Sequence, residues 1–218
     1  MGTFKLAVVI PAYNEANTIS NVVNRVKPFG DVIVVNDCSI DTTAEQAYIA
    51  GAIVVTHDNN KGYDGALNSG FEFAYEKGYS SVITFDADGQ HSEKLLASFI
   101  EHLKVYDLVL GIRPKNARLG EKIFAFASLS LYGVKDPLCG MKGYNMLLYK
   151  KLGYFDAISS IGTELALSSI KQGCSYIQLP IPIAEREDSS RFGHIFKANL
   201  TIIKALFRYF KKYHLGIG

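Results

Sequence analysis

The chain has 218 residues, enough for one large domain or two small ones, and 48% of them are hydrophobic, enough for a sizeable core. No apolar run approaches the ~20 residues needed to span a bilayer. Net charge is only +2, but six Lys or Arg and no acid follow Ser189, which leaves seventeen basic and twenty-one acidic residues in the body.

Strands are expected at the short, β-branched runs "LAVVI" (6–10), "VIVV" (32–35), "AIVV" (52–55), "SVITF" (81–85) and "DLVLG" (107–111). These runs do not alternate, as expected for strands covered on both faces. Amphipathic helices are expected between them, at 16–27, 42–50, 64–77 and 93–103. Thr42-x-x-Glu45 reads as a capping box, and Ser92 as the N-cap of the fourth helix. After residue 112 the alternation weakens: a helix near 119–132, a loop through Gly143, a helix near 162–172, a strand near 175–183 and a long helix near 194–213. The expectation is an α/β fold, a mainly parallel sheet with helices on both faces. "KLAVVIPAYNE" follows no signal-peptide pattern, and Cys38, Cys139 and Cys174 have neither zinc spacing nor an even count, so a cytoplasmic setting is expected.

Open parallel sheets bind ligands at the carboxyl ends of their strands. The polar segments fall there: "PAYNE" (11–15), "NDCSIDTT" (36–43), "HDNNKGYDGALNSG" (57–70) and "DADGQH" (86–91). Strand alternation would point Asp86 and Asp88 the same way, and like charges side by side call for a cation between them. A surface Asp-Gly turn is the plain alternative, but four such segments at one sheet edge argue against it. An EF-hand would need Gly and Glu where His91 and Ala97 stand. A haloacid-dehalogenase phosphatase would need its Asp pair on the first strand.

These segments, with "VVIPAYNE" and "DPLCGMKGYN", resemble a family 2 glycosyltransferase of the GT-A (Rossmann-like) fold, from Lys5 to about Gly143 and more weakly to 193. The nearest resemblance is to enzymes that load a sugar onto dolichyl or other polyprenyl phosphates. The resemblance implies one domain, with 1–112 holding a UDP- or GDP-linked sugar, 113–193 holding the acceptor, and a basic amphipathic helix at 194–213. It implies nucleoside contacts at Pro11, Tyr13, Glu15 and Asp37. Gly62 and Gly65 would allow close approach to the nucleotide, and Lys61 would offset phosphate charge. Asp86 and Asp88 would be the family's D-x-D pair, holding Mg²⁺ or Mn²⁺ with Gln90 as a further ligand; His91 is a weaker candidate. Arg113, Arg118, Arg186 and Arg191 would hold the acceptor phosphate, with Lys115 and Lys122 nearby. Asp136 is left with two readings: general base for a hydroxyl acceptor, or organiser of its loop for a phosphate acceptor. "DPLCGMKG" departs from the mannosyl enzymes' usual pattern, which leaves sugar and nucleotide open.

The expected activity is inverting, metal-dependent sugar transfer to a polyprenyl phosphate, with Asp88, Asp136 and Arg118 at the chemistry. The alternatives are a saccharide-hydroxyl acceptor and a non-catalytic nucleotide-sugar-binding protein. No nucleic-acid partner is expected. In the last helix Phe196, Leu200, Ile203, Phe207 and Phe210 form one apolar stripe, and Ile202, Leu206, Tyr209 and Tyr213 a second. Lys197, Lys204, Arg208 and Lys211 flank them. This pattern suits a helix lying on the inner face of a membrane without crossing it; the plain alternative is a helix packed on the sheet with its basic edge solvated.

Overall fold

The computed structural model describes residues 4–88, 94–114, 118–182 and 192–216, with side chains from 198 onward in the last helix. The first half alternates β1 (Leu6–Ala12), α1 (Ile19–Val26), β2 (Asp31–Asn36), α2 (Thr43–Ile49), β3 (Ile53–Thr56), α3 (Gly62–Glu76), β4 (Ser81–Thr84), α4 (Lys94–Leu103) and β5 (Leu108–Ile112). Then come α5 (Leu119–Tyr132), β6 (Lys142–Asn145), α6 (Met146–Leu152), α7 (Glu164–Lys171), β7 (Tyr176–Pro180) and α8 (Phe192–His214).

All seven strands join one sheet in the order β3-β2-β1-β4-β6-β5-β7. Pairing is parallel except around β6, which is antiparallel to both β4 and β5. A strand from the expected acceptor half therefore sits between two strands of the expected nucleotide half. It aligns Lys142 with Thr84 on one side and with Leu110 on the other.

Side chains of β1 divide between the two faces. Leu6, Val8 and Ile10 pack with Val22, Val23 and Val26 of α1 and with Phe99 of α4. Ala7 and Val9 pack with Leu67 and Phe71 of α3, in the same cluster as Ile202, Ala205 and Tyr209 of α8. A Cβ at Gly70 would lie 2.4 Å from Val9 Cγ1, so α3 rides directly on β1. Phe71 is fully buried, its ring 4.5 Å from Phe155 and 5.3 Å, edge-on, from Tyr144. Burial of such a side chain contributes about 1.5–3 kcal/mol.

Several expectations need correction. The loop through Gly143 is strand β6. It lacks the β-branched run that marks the other strands, and Lys142 at its start is 3% exposed. The first helix starts at Ile19, not 16. The Thr42–Glu45 capping box does not form: Thr42 makes no side-chain cap bond. Asp41 takes that place, its Oδ1 accepting from Thr43 N at 3.0 Å and its Oδ2 from Ala16 N at 3.2 Å. These bonds, led by the Thr43 hydroxyl, lower the Asp41 pKa. Ser92 lies outside the described residues.

The last helix divides its two stripes. Ile202 and Tyr209 are buried, and Leu206 and Tyr213 pack against the core. Its end is tied to α7, where Lys212 Nζ and Tyr213 OH each donate to Glu164 Oε1 at 2.7 Å. Leu200, Ile203, Phe207 and Phe210 of the other stripe remain exposed, Phe207 by 64%. The side chains of Phe196 and Lys197 lie outside the description. Among the described residues, no helix is long and apolar enough to cross a membrane.

Candidate active site

The loops after β1 and β2 are interlaced. Asn14, at φ 56°, donates its N–H to Ser39 Oγ at 3.0 Å and accepts from Ile40 N at 3.0 Å. Glu15 N donates to Thr43 Oγ1 at 2.7 Å, and its carboxylate accepts from Thr18 Oγ1 at 2.9 Å. Tyr13 is 49% exposed at the same edge, and Pro11 is partly buried just before it. Pro11, Tyr13, Glu15 and Asp37 thus lie on two adjacent strand ends.

Asp37 is buried, and its carboxylate organises the next loop. Oδ1 accepts from Lys61 N at 2.8 Å and Oδ2 from Gly62 N at 2.7 Å, which satisfies two amides where α3 begins. His57 Nδ1 lies 2.7 Å from Asp37 Oδ1 and Nε2 lies 2.8 Å from Ser69 Oγ, so β2, β3 and α3 are joined by one chain of hydrogen bonds. Nothing in the sequence singled out His57; its place just after a strand, twenty residues past Asp37, was the available signal. Lys61 is exposed. Gly62 has φ +74°, a conformation that favours glycine. Gly65 has a local reason to be glycine, since a Cβ there would lie 2.5 Å from Lys61 Cβ.

Asp86 and Asp88 follow β4, which ends at Thr84; the strand alternation that aligned them stops there, and the chain turns at 87–88. Both are partly exposed. The segment before β6 is fastened to this corner. Thr84 Oγ1 donates to Gly140 O at 2.5 Å and accepts from Lys142 N at 3.0 Å. A Cβ at Gly140 would fall 2.3 Å from Asp86 Oδ2, so any other residue would displace the carboxylate. The D-x-D pair and "DPLCGMKG" are one structural unit.

The pair fits Mg²⁺ or Mn²⁺ in the chemistry of its donors: two partly exposed carboxylates supply hard oxygens, and such ions take one or two carboxylates plus substrate phosphates. Among the described residues, no group of three His, Cys, Asp or Glu could hold a metal by itself. Gln90 and His91 lie outside the described residues.

Beside this corner sit two groups that sequence reasoning passed over. Lys142 is buried, donates from Nζ to Gly162 O at 3.1 Å, and has its pKa lowered by burial against the opposing pull of Cys139, Asp136 and Asp86. Burial of the phenol and Asp86 push Tyr63 well above its ordinary value, although the residue as a whole is 37% exposed. Burial and Asp136 push the Cys139 thiol up to about 12, which leaves it inert as a nucleophile.

The side expected to take the acceptor lies past β5. Asp136, 2% exposed, is gripped by Arg113: Nε donates to Oδ2 at 2.7 Å, NH2 to Oδ1 at 2.8 Å, and the backbone N to Oδ2 at 3.0 Å. Arg113, Arg118, Glu121 and Leu138 line a cavity of about 620 Å³ with Ile161, Ala198, Thr201 and Ile202. Its lining combines two guanidinium groups and a carboxylate with the apolar Leu138, Ile161, Ala198 and Ile202. Lys122 is exposed on α5. Lys115, Arg186 and Arg191 lie outside the described residues.

The architecture is that of GT-A glycosyltransferases. Glucosyl-3-phosphoglycerate synthase from Mycobacterium tuberculosis, solved with Mn²⁺ and UDP-glucose, superposes with a TM-score of 0.76 at 19% identity, over 94% of this chain and 79% of that one. The chain belongs to glycosyl transferase family 2, whose pattern matches residues 7–125, and it is a glycosyltransferase. An undecaprenyl-phosphate mannosyltransferase of Micrococcus luteus is 29% identical over 208 residues, covering 84% of this chain and 85% of the relative. A UDP-N-acetylglucosamine–dolichyl-phosphate N-acetylglucosaminyltransferase of Methanococcus voltae is 31% identical over 180 residues, 66% of this chain and 71% of the relative.

Proposed function

We propose that the protein transfers a sugar, with inversion, from a UDP- or GDP-linked donor to a polyprenyl phosphate at a membrane surface. The carrying observation is the cavity lined by Arg113 and Arg118: their guanidinium groups suit a phosphate, and Leu138, Ile161 and Ile202 in the same lining suit the first prenyl carbons. The relatives that act on undecaprenyl and dolichyl phosphates support the same acceptor class.

In this reading the nucleoside lies across Pro11, Tyr13, Glu15 and Asp37, with the diphosphate beside Lys61, Gly62 and Gly65. Asp86 and Asp88, with Gln90, hold Mg²⁺ or Mn²⁺. That ion supplies neutralisation of the charge that builds on the departing nucleoside diphosphate. Arg113 and Arg118, with Arg186 and Arg191, orient the acceptor phosphate. A phosphate oxygen forms the new bond to the anomeric carbon as the bond to the diphosphate oxygen breaks on the opposite face. No proton need move, because a phosphate monoester is largely ionised at neutral pH. Asp136, with both oxygens held by Arg113, is then an organiser of its loop rather than a base.

The membrane side of the proposal rests on two helices. Gly120 N donates to Asn199 Oδ1 at 2.8 Å, and the Tyr132 and Tyr209 rings meet edge-on at 6.1 Å, so α5 and α8 run side by side in one direction. Leu119, Ile123, Phe126 and Leu129 of α5 are exposed, as are Leu200, Ile203, Phe207 and Phe210 of α8. Lys204 and Arg208 lie among the α8 residues. Apolar side chains with a basic edge suit an anionic lipid surface on the cytoplasmic side. The test is kinetic: Arg118→Ala should raise the KM for a short prenyl phosphate by ~10-fold or more while the donor KM stays within ~2-fold. Equal effects on both substrates would remove Arg118 from the acceptor site.

A further inference from the structure

The turn at residues 159–162, just before α7, has an unusual backbone. Ser159, Ile161 and Gly162 have φ of 53°, 59° and 64°. Glycine takes that conformation freely, but for a β-branched residue such as Ile161 it is a steric outlier. Such a residue stays there only where its surroundings hold it. Three elements do so. Ile161 N donates to Asp64 Oδ2 of α3 at 3.2 Å. Gly162 O accepts from the buried Lys142 Nζ of β6 at 3.1 Å. Ser159 O accepts from Arg208 NH1 of α8 at 3.3 Å. Within the turn, Ser160 N donates to both oxygens of Asp156, at 3.0 and 3.1 Å. A Cβ at Gly162 would lie 3.2 Å from Tyr63 Cε1 and 3.3 Å from Phe155 Cε1, so the turn is closed in by packing as well. The residue held in this way, Ile161, lines the same cavity as Arg113 and Arg118.

We infer that Ile161 is a specificity-determining residue, which selects a phosphate monoester with an apolar tail over one with a polar tail, and that Lys142 is the positioning residue that keeps it in the cavity. This rests on the phosphate-acceptor reading above and adds the basis of choice within it. A guanidinium group pairs with any phosphate, so arginines alone do not tell a lipid phosphate from a water-soluble one. An aliphatic side chain in the same lining does. It gives prenyl carbons an apolar contact, and it leaves hydroxyl groups on a polar tail desolvated without partners. Released from its contacts, Ile161 would return to negative φ, and its side chain would be redirected. Lys142 opposes that change by holding the next carbonyl. The same contact gives a reason for a buried lysine at the start of β6.

Binding of geranyl phosphate, glycerol 3-phosphate and inorganic phosphate is measured by calorimetry at fixed pH and ionic strength. The first two share a headgroup, so the ratio of their dissociation constants reads the tail alone. Wild type should favour geranyl phosphate. Ile161→Gly and Ile161→Asn, residues that tolerate positive φ, should reduce that preference by about 10-fold, equivalent to ~1.4 kcal/mol. Both should bind inorganic phosphate within about 2-fold of wild type and keep Tm within about 4 °C of it. Ile161→Val, still β-branched and apolar, should keep the preference within about 2-fold. Lys142→Met should also reduce the preference. Lys142→Met combined with Ile161→Gly should lose no more than Ile161→Gly alone, because the one residue acts through the other.

A lower Tm with all three ligands weakened alike would make Ile161 merely structural and overturn the inference. An unchanged preference in Ile161→Gly and Ile161→Asn, where Arg118→Ala weakens geranyl phosphate binding to the wild type, also overturns it and leaves the acceptor reading standing. Additive losses in the double variant overturn the role of Lys142. Wild type that binds no geranyl phosphate, or binds it no better than glycerol 3-phosphate, overturns the inference and the acceptor reading together.

Discussion

Replacing Asp136 by Asn separates the two roles open to it. In the structure its carboxylate accepts three bonds from Arg113, two from the guanidinium and one from the backbone. Asparagine keeps one acceptor oxygen and turns an NH2 toward donors that cannot accept it. Breaking one partner of a buried pair costs about 3–5 kcal/mol. Arg113 keeps some solvent, with its side chain 20% exposed, and Glu121 lies 3.9 Å away, so the lower end applies. The expected loss is ~3 kcal/mol in denaturant unfolding, or a fall in Tm of about 10 °C for a chain of this size. Arg113→Met combined with Asp136→Leu should recover part of that stability, because no guanidinium then faces an amide, while the Arg113 N–H still loses its acceptor. Turnover of Asp136→Asn on a prenyl phosphate, at saturating acceptor below its melting range, should fall less than ~10-fold. Stability unchanged, with turnover down ~10²-fold and donor binding intact, would refute this reasoning and make Asp136 a base for a hydroxyl acceptor.

Further predictions follow from the same contacts. Asp88→Asn should lower kcat by ~10²-fold or more while nucleotide affinity changes only several-fold, read by single-turnover transfer and by calorimetry. Asp64 is raised to about 6 by burial and by Asp156, and its Oδ1 has no hydrogen-bond partner. The protonated form therefore favours the fold, and that stability is lost as pH rises from about 4 to about 6. Asp64→Asn should gain about 2 kcal/mol over wild type at pH 7, and that gain should grow as pH rises from about 4 to about 6; a wild-type-to-variant difference that stays constant across that window would sink the assignment. Phe207→Glu with Lys204→Glu should abolish flotation with anionic liposomes and leave Tm unchanged, since Phe207 is 64% exposed. Removing α8 altogether cannot serve as that control, because Ile202, Ala205 and Tyr209 belong to the core.

The first five strands were legible because strands buried on both faces read as unbroken apolar runs, and the polar ends of those strands located the site edge. β6 was not, because its "KGYN" is stabilised by position between β4 and β5 rather than by its own residues. The α8 stripes were legible as a pattern, but only packing against α5 and α7 decided which faced inward. A motif marked the corner at Asp86 and Asp88, against which Gly140 packs. The surroundings were not readable where long-range packing makes the environment: Lys142 and His57 become notable only once β6 and α3 are in place, and Ile161 only once β5, α5 and α8 enclose a cavity. Asp37 shows the opposite case, a residue read for ligand contact whose oxygens hold the start of α3.

The central claim is transfer to a lipid phosphate. The most direct measurement incubates the protein with a panel of UDP- and GDP-sugars, with Mg²⁺ or Mn²⁺, in anionic liposomes with and without a polyprenyl phosphate, and reads the lipid fraction by mass spectrometry. The account predicts a polyprenyl phosphate one sugar heavier, formed from one donor and lost in Asp88→Asn. Release of the nucleotide with sugar appearing only on a soluble hydroxyl acceptor, or sugar-lipid yield that Asp88→Asn leaves unchanged, would contradict it.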